Sequence, residues 1–210
     1  MRLKKKPWGE KILQDYSKYL VVGDKLDDTK FQEFLNHDKL VLEIGTGKGD
    51  FVLQMAKKYP NIRFVAIEMQ SMALAYALRK IEDLEIENLL FVNVDAHFLF
   101  DKLNNHKFET IFLNFSDPWP KKRQNKRRLT YPTMLKEYYN ILKSKGRLIF
   151  KTDNNILFDD SIEYIYQSQF KILDINYDYD GSDPYDALTE YESKFRSLNV
   201  PIKRLIVEKE

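Results

Sequence analysis

The sequence contains no cysteine, which excludes disulfides, thiolate nucleophiles and thiolate metal ligands. Histidine is nearly as scarce. His37, His97 and His106 lie far apart and offer no metal-ligand spacing, so no metal is expected and catalysis must use other groups. No apolar run approaches the roughly 20 residues that span a bilayer. The amino-terminal MRLKKKPWGE lacks the apolar core of a secretion signal. The chain therefore reads as soluble and cytoplasmic, with no membrane partner. Linkers are missing too, since no Pro-, Gly- or Ser-rich tract and no internal repeat divides the 210 residues. A single domain over 1–210 is expected, with a basic amino-terminal extension around 1–39.

Charge is present in quantity but segregated. The net value of +2 averages the basic segments Arg2–Lys6 and Lys121–Arg128 with Asp174–Glu192, which carries only acidic charge. Such separation makes a positive face for a polyanion even when the total is near neutral.

Short apolar runs bounded by turn residues recur at Leu40–Ile44, Arg63–Glu68, Leu89–Val94, Thr110–Asn114 and Gly146–Lys151, and each reads as a buried strand. Helical patterns occupy Asp50–Tyr59, Ser71–Leu84, Thr133–Leu142 and Leu157–Ser168. Alternating strand and helix predicts an α/β fold with a doubly wound, Rossmann-like, mostly parallel sheet. Lys171–Tyr179 and Pro201–Glu208 alternate around a turn-rich Asp180–Pro184, which predicts an antiparallel closing pair. The first 39 residues suggest one helix near Lys30–Leu35 after an extended or mobile basic start.

Two places carry chemistry. The first is Glu43-Ile44-Gly45-Thr46-Gly47-Lys48-Gly49-Asp50, where glycines permit a tight turn and close approach of a ligand to the backbone. A dinucleotide fingerprint would need a small residue where Asp50 stands, and Glu43 would repel a pyrophosphate. A ligand with a cationic amino group and no phosphate fits better, and S-adenosylmethionine is one. Glu68 closes the second strand, where an acid accepts from ribose hydroxyls. Asp95 follows the third and is placed to accept from an adenine amine. Singly, each is an ordinary surface or capping acid; together with Asp117 they put carboxylates at four successive strand ends.

The second place is Phe115–Arg128, FSDPWPKKRQNKRR. It sets Asp117 beyond a strand, limits local freedom with Pro118 and Pro120, and follows with six cations in eight residues. Solvated loop charge and polyanion binding are both open on this pattern alone. Trp119 is either a base-stacking ring or a packing wedge.

These motifs resemble those of the class I S-adenosylmethionine-dependent methyltransferases, and more closely the bacterial tRNA (guanine-N7)-methyltransferase family. The matching residues are LEIGTGKGDF at Leu42–Phe51, Glu68, NVDA at Asn93–Ala96, NFSDPWPKKRQNKRRL at Asn114–Leu129, FKTDN at Phe150–Asn154 and TEYESKF at Thr189–Phe195. The resemblance implies S-adenosylmethionine as cofactor, held by Glu43, Gly45, Gly47, Glu68, Asp95 and Asp117, with Asp117 also the catalytic residue. It implies substrate contacts at Lys121, Asp153, Thr189, Glu190, Tyr191 and Glu192, and RNA contacts at Arg123, Gln124, Asn125, Lys126, Arg127 and Arg128. The implied partner is tRNA and the implied product 7-methylguanosine at position 46. Asp153-Asn154 and Thr189-x-x-Glu192 are also ordinary helix-capping patterns. A partial likeness of Ser116-Asp117-Pro118-Trp119 to amino-group methyltransferase motifs keeps that chemistry as an alternative, beside a non-catalytic RNA-binding protein of the same fold. A monomer or a homodimer is compatible with this sequence.

Overall fold

Burial of apolar runs too short to form long helices organises the chain around its strands. The structure, a computed structural model, describes residues 4, 6–26, 29–81, 84–103 and 106–210, and of Asp24 the backbone alone. Arg2 and Lys5 of the basic start, and Glu82 and Asp83 of the second expected helix, lie outside the described residues. The chain divides into two compact units, residues 1–106 and 107–210.

The first unit contains α1 (Pro7–Asp15), β1 (Leu20–Val22), α2 (Thr29–Leu35), β2 (Leu40–Ile44), α3 (Asp50–Lys58), β3 (Arg63–Ile67), α4 (Ser71–Arg79), β4 (Leu89–Asn93) and the short α5 (Phe100–Leu103). Its strands are all parallel, in the order β1-β4-β3-β2. Every residue of β2 is buried, as expected of a parallel strand covered on both faces. Asn88 organises the amino end of β4, where its side-chain amide donates to the carbonyls of Ala56, Tyr59 and Ile62 at 2.8–3.0 Å.

In the amino-terminal region α2 falls where a helix was expected near Lys30–Leu35, but the extended start is corrected. Residues 7–22 form a helix and an edge strand, with Pro7 in the first helical turn, where its missing N–H has no helical acceptor. Helix α1 lies on α4: a Cβ on Gly9 would stand 2.5 Å from Met72 Sδ, and the rings of Trp8 and Tyr76 meet edge-on at 4.9 Å. Charge along this segment concealed the small and aromatic residues that make the contact. Helix α4 also ends earlier than its pattern suggests, at Arg79.

The second unit contains β5 (Phe108–Asn114), α6 (Pro132–Ile141), β6 (Leu142–Thr152), α7 (Asn155–Tyr166), β7 (Phe170–Asn176), α8 (Glu190–Ser197) and β8 (Lys203–Lys209). Strands β5 and β6 are parallel, while β8 runs antiparallel to both β6 and β7. The mostly parallel α/β reading with an antiparallel closing pair therefore holds. Asn154 starts α7 by accepting from Leu157 N at 2.8 Å. Among the described residues, no helix is long and apolar enough to cross a membrane.

Gly49 precedes α3 at φ 77°, and an added Cβ would lie 2.9 Å from Ala77 Cβ and 3.3 Å from the Phe91 ring. Gly47, at φ 57°, has nothing within 4 Å of that position. Gly47→Ala should therefore cost about 1–2 kcal/mol from conformation alone. Gly49→Ala should cost about 2–4 kcal/mol because overpacking adds to it. Urea denaturation of the two variants measures the difference, and equal losses would contradict the packing argument.

Candidate active site

In the first unit the turn after β2 is folded over the end of β3. The N–H groups of Gly45 and Thr46 both donate to Ile67 O, at 2.9 and 3.0 Å. Glu43 is 2% exposed and accepts from Thr46 Oγ1 at 2.5 Å. Glu68 is also buried, and its two oxygens accept from Gly47 N at 3.1 Å and Gln70 N at 2.8 Å. The glycine turn and Glu68 are thus one assembly.

Asp95 begins the 3-10 turn Ala96–Phe98, accepting from His97 N at 3.0 Å and lying 2.8 Å from His97 Nδ1. Burial alone would raise its carboxyl, but the hydrogen bonds and charge of His97 hold it below the usual carboxylate range. The capping role weighed from sequence is real, and it leaves the acid ionised at the strand end.

In the second unit β5 ends at Asn114, and the chain turns through Phe115 at φ 53°, whose N–H donates to Lys151 O at 2.8 Å. Asp117 is exposed beyond this turn. The cationic run is not an open loop, since Lys122–Arg127 forms a 3-10 helix. Lys121, Lys122, Arg123, Lys126 and Arg127 are exposed on it, while Gln124 and Asn125 are half-buried.

Arg128 corrects the expectation that the whole run faces RNA. It is 2% exposed, donates from Nε to Pro118 O at 2.8 Å and from Nη2 to Trp119 O at 3.5 Å, and pairs with Asp160. A guanidinium buried this deeply is retained because its donors are satisfied. The Pro-Trp-Pro segment is therefore held from behind. Trp119, at φ 40°, carries the Arg127 guanidinium 5.0 Å above its ring centre, so its ring supports an exposed cation.

At the end of β6, Asp153 is half-buried and Asn154 takes the capping role, which separates two readings that the sequence left joined. Thr189 caps α8, accepting from Glu192 N at 2.8 Å. Glu192 turns inward, with Oε2 2.8 Å from Lys151 Nζ and Oε1 2.6 Å from Arg196 Nη2. Lys151 is completely buried and also reaches Asp186 at 2.7 Å and Ala187 O at 3.3 Å. Sequence reasoning missed this cluster. The one signal was a lysine inside the apolar run Leu148–Lys151.

Glu190 and Tyr191 lie on the exposed side of the same helix. Tyr191 packs its ring 5.2 Å from Phe115 and 4.4 Å from Phe195. Burial and then the negative charges of Asp153 and Asp117 raise its hydroxyl pKa. The structure thus brings Asp117, Asp153 and Tyr191 into one neighbourhood within the second unit.

Residues 37–205 match the family described as "Putative methyltransferase". The tRNA (guanine-N(7)-)-methyltransferase of Clostridium tetani is 40% identical over 209 residues, covering 99% of both chains. That of Listeria innocua is 41% identical over 211 residues, covering 98% of this chain and 97% of the relative. Among solved structures, one titled "Structure of an Antibiotic Related Methyltransferase" aligns with a TM-score of 0.64 at 18% identity, covering 85% of this chain and 92% of its own. The last likeness concerns the fold, whereas the family match spans both glycine turn and cationic segment and the two relatives do so at 40–41% identity. The chain belongs to the tRNA (guanine-N7)-methyltransferase family.

Proposed function

We propose that this protein works in the cytoplasm as a single methyltransferase domain, transferring a methyl group from S-adenosylmethionine to N7 of guanine 46 in the variable loop of tRNA. The observation that carries the reading is exposed Asp117 set directly before a 3-10 helix of outward cations, in a chain of this family.

The residues of the glycine turn suit that cofactor. Gly47 leaves open space at its α-carbon, and Glu68, an acid at the end of β3 oriented by two backbone donors, is the type of group that accepts from ribose hydroxyls. Asp95, ionised beside His97, suits an exocyclic amine. Glu43 and the turn glycines Gly45 and Gly47 complete the set, with Asp117 shared between cofactor and guanine. When bound, S-adenosylmethionine supplies an electrophilic methyl group on a sulfonium sulfur.

Guanine N7 has an in-plane lone pair and no hydrogen, so its attack requires no base to remove a proton. A chain without cysteine and without an assigned histidine is adequate for this chemistry. Its residues act by orienting the reactants, worth about 7–11 kcal/mol in favourable systems. Transfer leaves positive charge on the purine, which Asp117 and Asp153 stabilise. Lys121, Thr189, Glu190 and Tyr191 contact the substrate region, and Glu192 serves it from inside through its bond to Lys151. Arg123, Lys126 and Arg127 engage phosphate, with Gln124 and Asn125 beside them.

Methyl transfer from labelled cofactor to unmodified tRNA tests the reading directly. Asp117→Ala should lower turnover at least about 100-fold with tRNA binding largely retained. Digestion of the product should yield 7-methylguanosine, and wild-type activity in the variant would remove Asp117 from the reaction. Filter binding separates the two arginines. Arg127→Ala should weaken tRNA binding and reduce the salt slope by about 1. Arg128→Ala should leave the slope near its original value while lowering stability by about 1–3 kcal/mol, because two carbonyls and the partly exposed Asp160 lose their partner.

A further inference from the structure

The packing of α1 on α4 gathers cations around two aromatic rings of the first unit. Gly9 lets α1 lie against Met72, and Trp8 meets the Tyr76 ring edge-on at 4.9 Å. Lys6, just ahead of Pro7, donates from Nζ to the Tyr76 hydroxyl at 3.1 Å and stands 5.8 Å from the ring centre. Lys48, between Gly47 and Gly49, lies 5.7 Å from the centre of the same ring. The Arg79 guanidinium lies 5.7 Å from the centre of the Trp8 ring. Lys6 and Arg79 are exposed and Lys48 is half-buried. Their neighbour Lys80 is neutralised by Asp50 at 2.7 Å, but among the described residues neither Lys6 nor Arg79 forms an ion pair. A ring orients a cation without cancelling its charge. Three elements, α1, the glycine turn and α4, thus bring positive charge to one place.

Resting on the tRNA substrate proposed above, we propose that Lys6, Lys48 and Arg79 form a phosphate-binding patch by which the first unit holds the tRNA backbone, in addition to the cationic helix Lys122–Arg127. Like charges brought together repel, and a phosphate set among them removes that cost. Contact with Tyr76 and Trp8 limits the freedom of the long side chains before RNA arrives, so less is lost when they bind. The contacts reach phosphate and not base edges. They therefore position the tRNA without reading its sequence.

Filter binding of tRNA across a salt series, with the full chain, tests this without requiring turnover. Lys48 is left intact because it stands in the cofactor turn. The double variant Lys6→Ala with Arg79→Ala should weaken tRNA binding and reduce the salt slope by about 2. The charge-conserving pair Lys6→Arg with Arg79→Lys should keep the wild-type slope, which separates charge from the packing of α1. Circular dichroism should show both variants folded, as expected for exposed positions, and calorimetry should show their affinity for S-adenosylhomocysteine unchanged. Labelled methyl transfer to tRNA is measured in parallel. An unchanged slope in the alanine variant of an enzyme that methylates tRNA, or an equal loss of slope in the charge-conserving pair, overturns the patch alone. A wild-type slope combined with lost binding of poly-glutamate would give the patch to an acidic protein segment and also overturn the proposal. A reduced slope in the alanine variant of a protein whose wild type does not methylate tRNA would support the patch and sink the reaction assigned above.

Discussion

Much of what the second unit presents to solvent depends on one buried cation. Lys151 stands in β6 with no exposure, and removing an ammonium group from water costs several kcal/mol unless its charge and donors are met. Asp186 and Glu192 supply two negative charges, and Arg196, on the second oxygen of Glu192, restores neutrality. The acids come from the turn-rich stretch before α8 and from α8 itself. A loop and a helix with few apolar residues are thereby located by electrostatics. An apolar residue in place of Lys151 would leave two carboxylates without their partner, a change that typically costs about 3–5 kcal/mol for a buried pair.

The two units anchor their strand-end acids differently. In the first, backbone donors do the work, as the N–H groups of Gly47 and Gln70 orient Glu68. In the second, where Pro118 and Pro120 lack N–H donors, a side chain holds the backbone of the segment that carries Asp117. Arg128 compensates from behind by binding the carbonyls of Pro118 and Trp119. Both solutions leave a carboxylate at a strand end with its surroundings held by groups that do not belong to it.

Strand positions were legible in the sequence because parallel strands buried on both faces leave continuous apolar runs, as in β2 to β4 and the carboxyl-terminal parts of β5 and β6; the polar first half of β6, Leu142–Gly146, was not. The glycine turn was legible because its left-handed conformations need glycine. The first helix and edge strand were not, since Gly9 meets Met72 and Trp8 meets Tyr76 only after α1 and α4 are folded, and interspersed charges of both signs hid the pattern. Among the candidate site residues, composition grouped Arg128 with its neighbours and Glu192 with the acidic stretch. Their burial follows from partners 32 and 41 positions away, Asp160 and Lys151, which no local spacing reports.

Adjacent arginines with opposite fates have a consequence for how this surface responds to its surroundings. Arg127 rests on the outer face of Trp119, within reach of dissolved ions, whereas Arg128 is sealed behind the same segment. Salt screens the first and barely touches the second. If the cationic helix holds a polyanion as proposed above, rising ionic strength detaches it while leaving the Pro-Trp-Pro segment in shape. The surface would be ready for the next encounter without a refolding step, so its association rate would record screening alone.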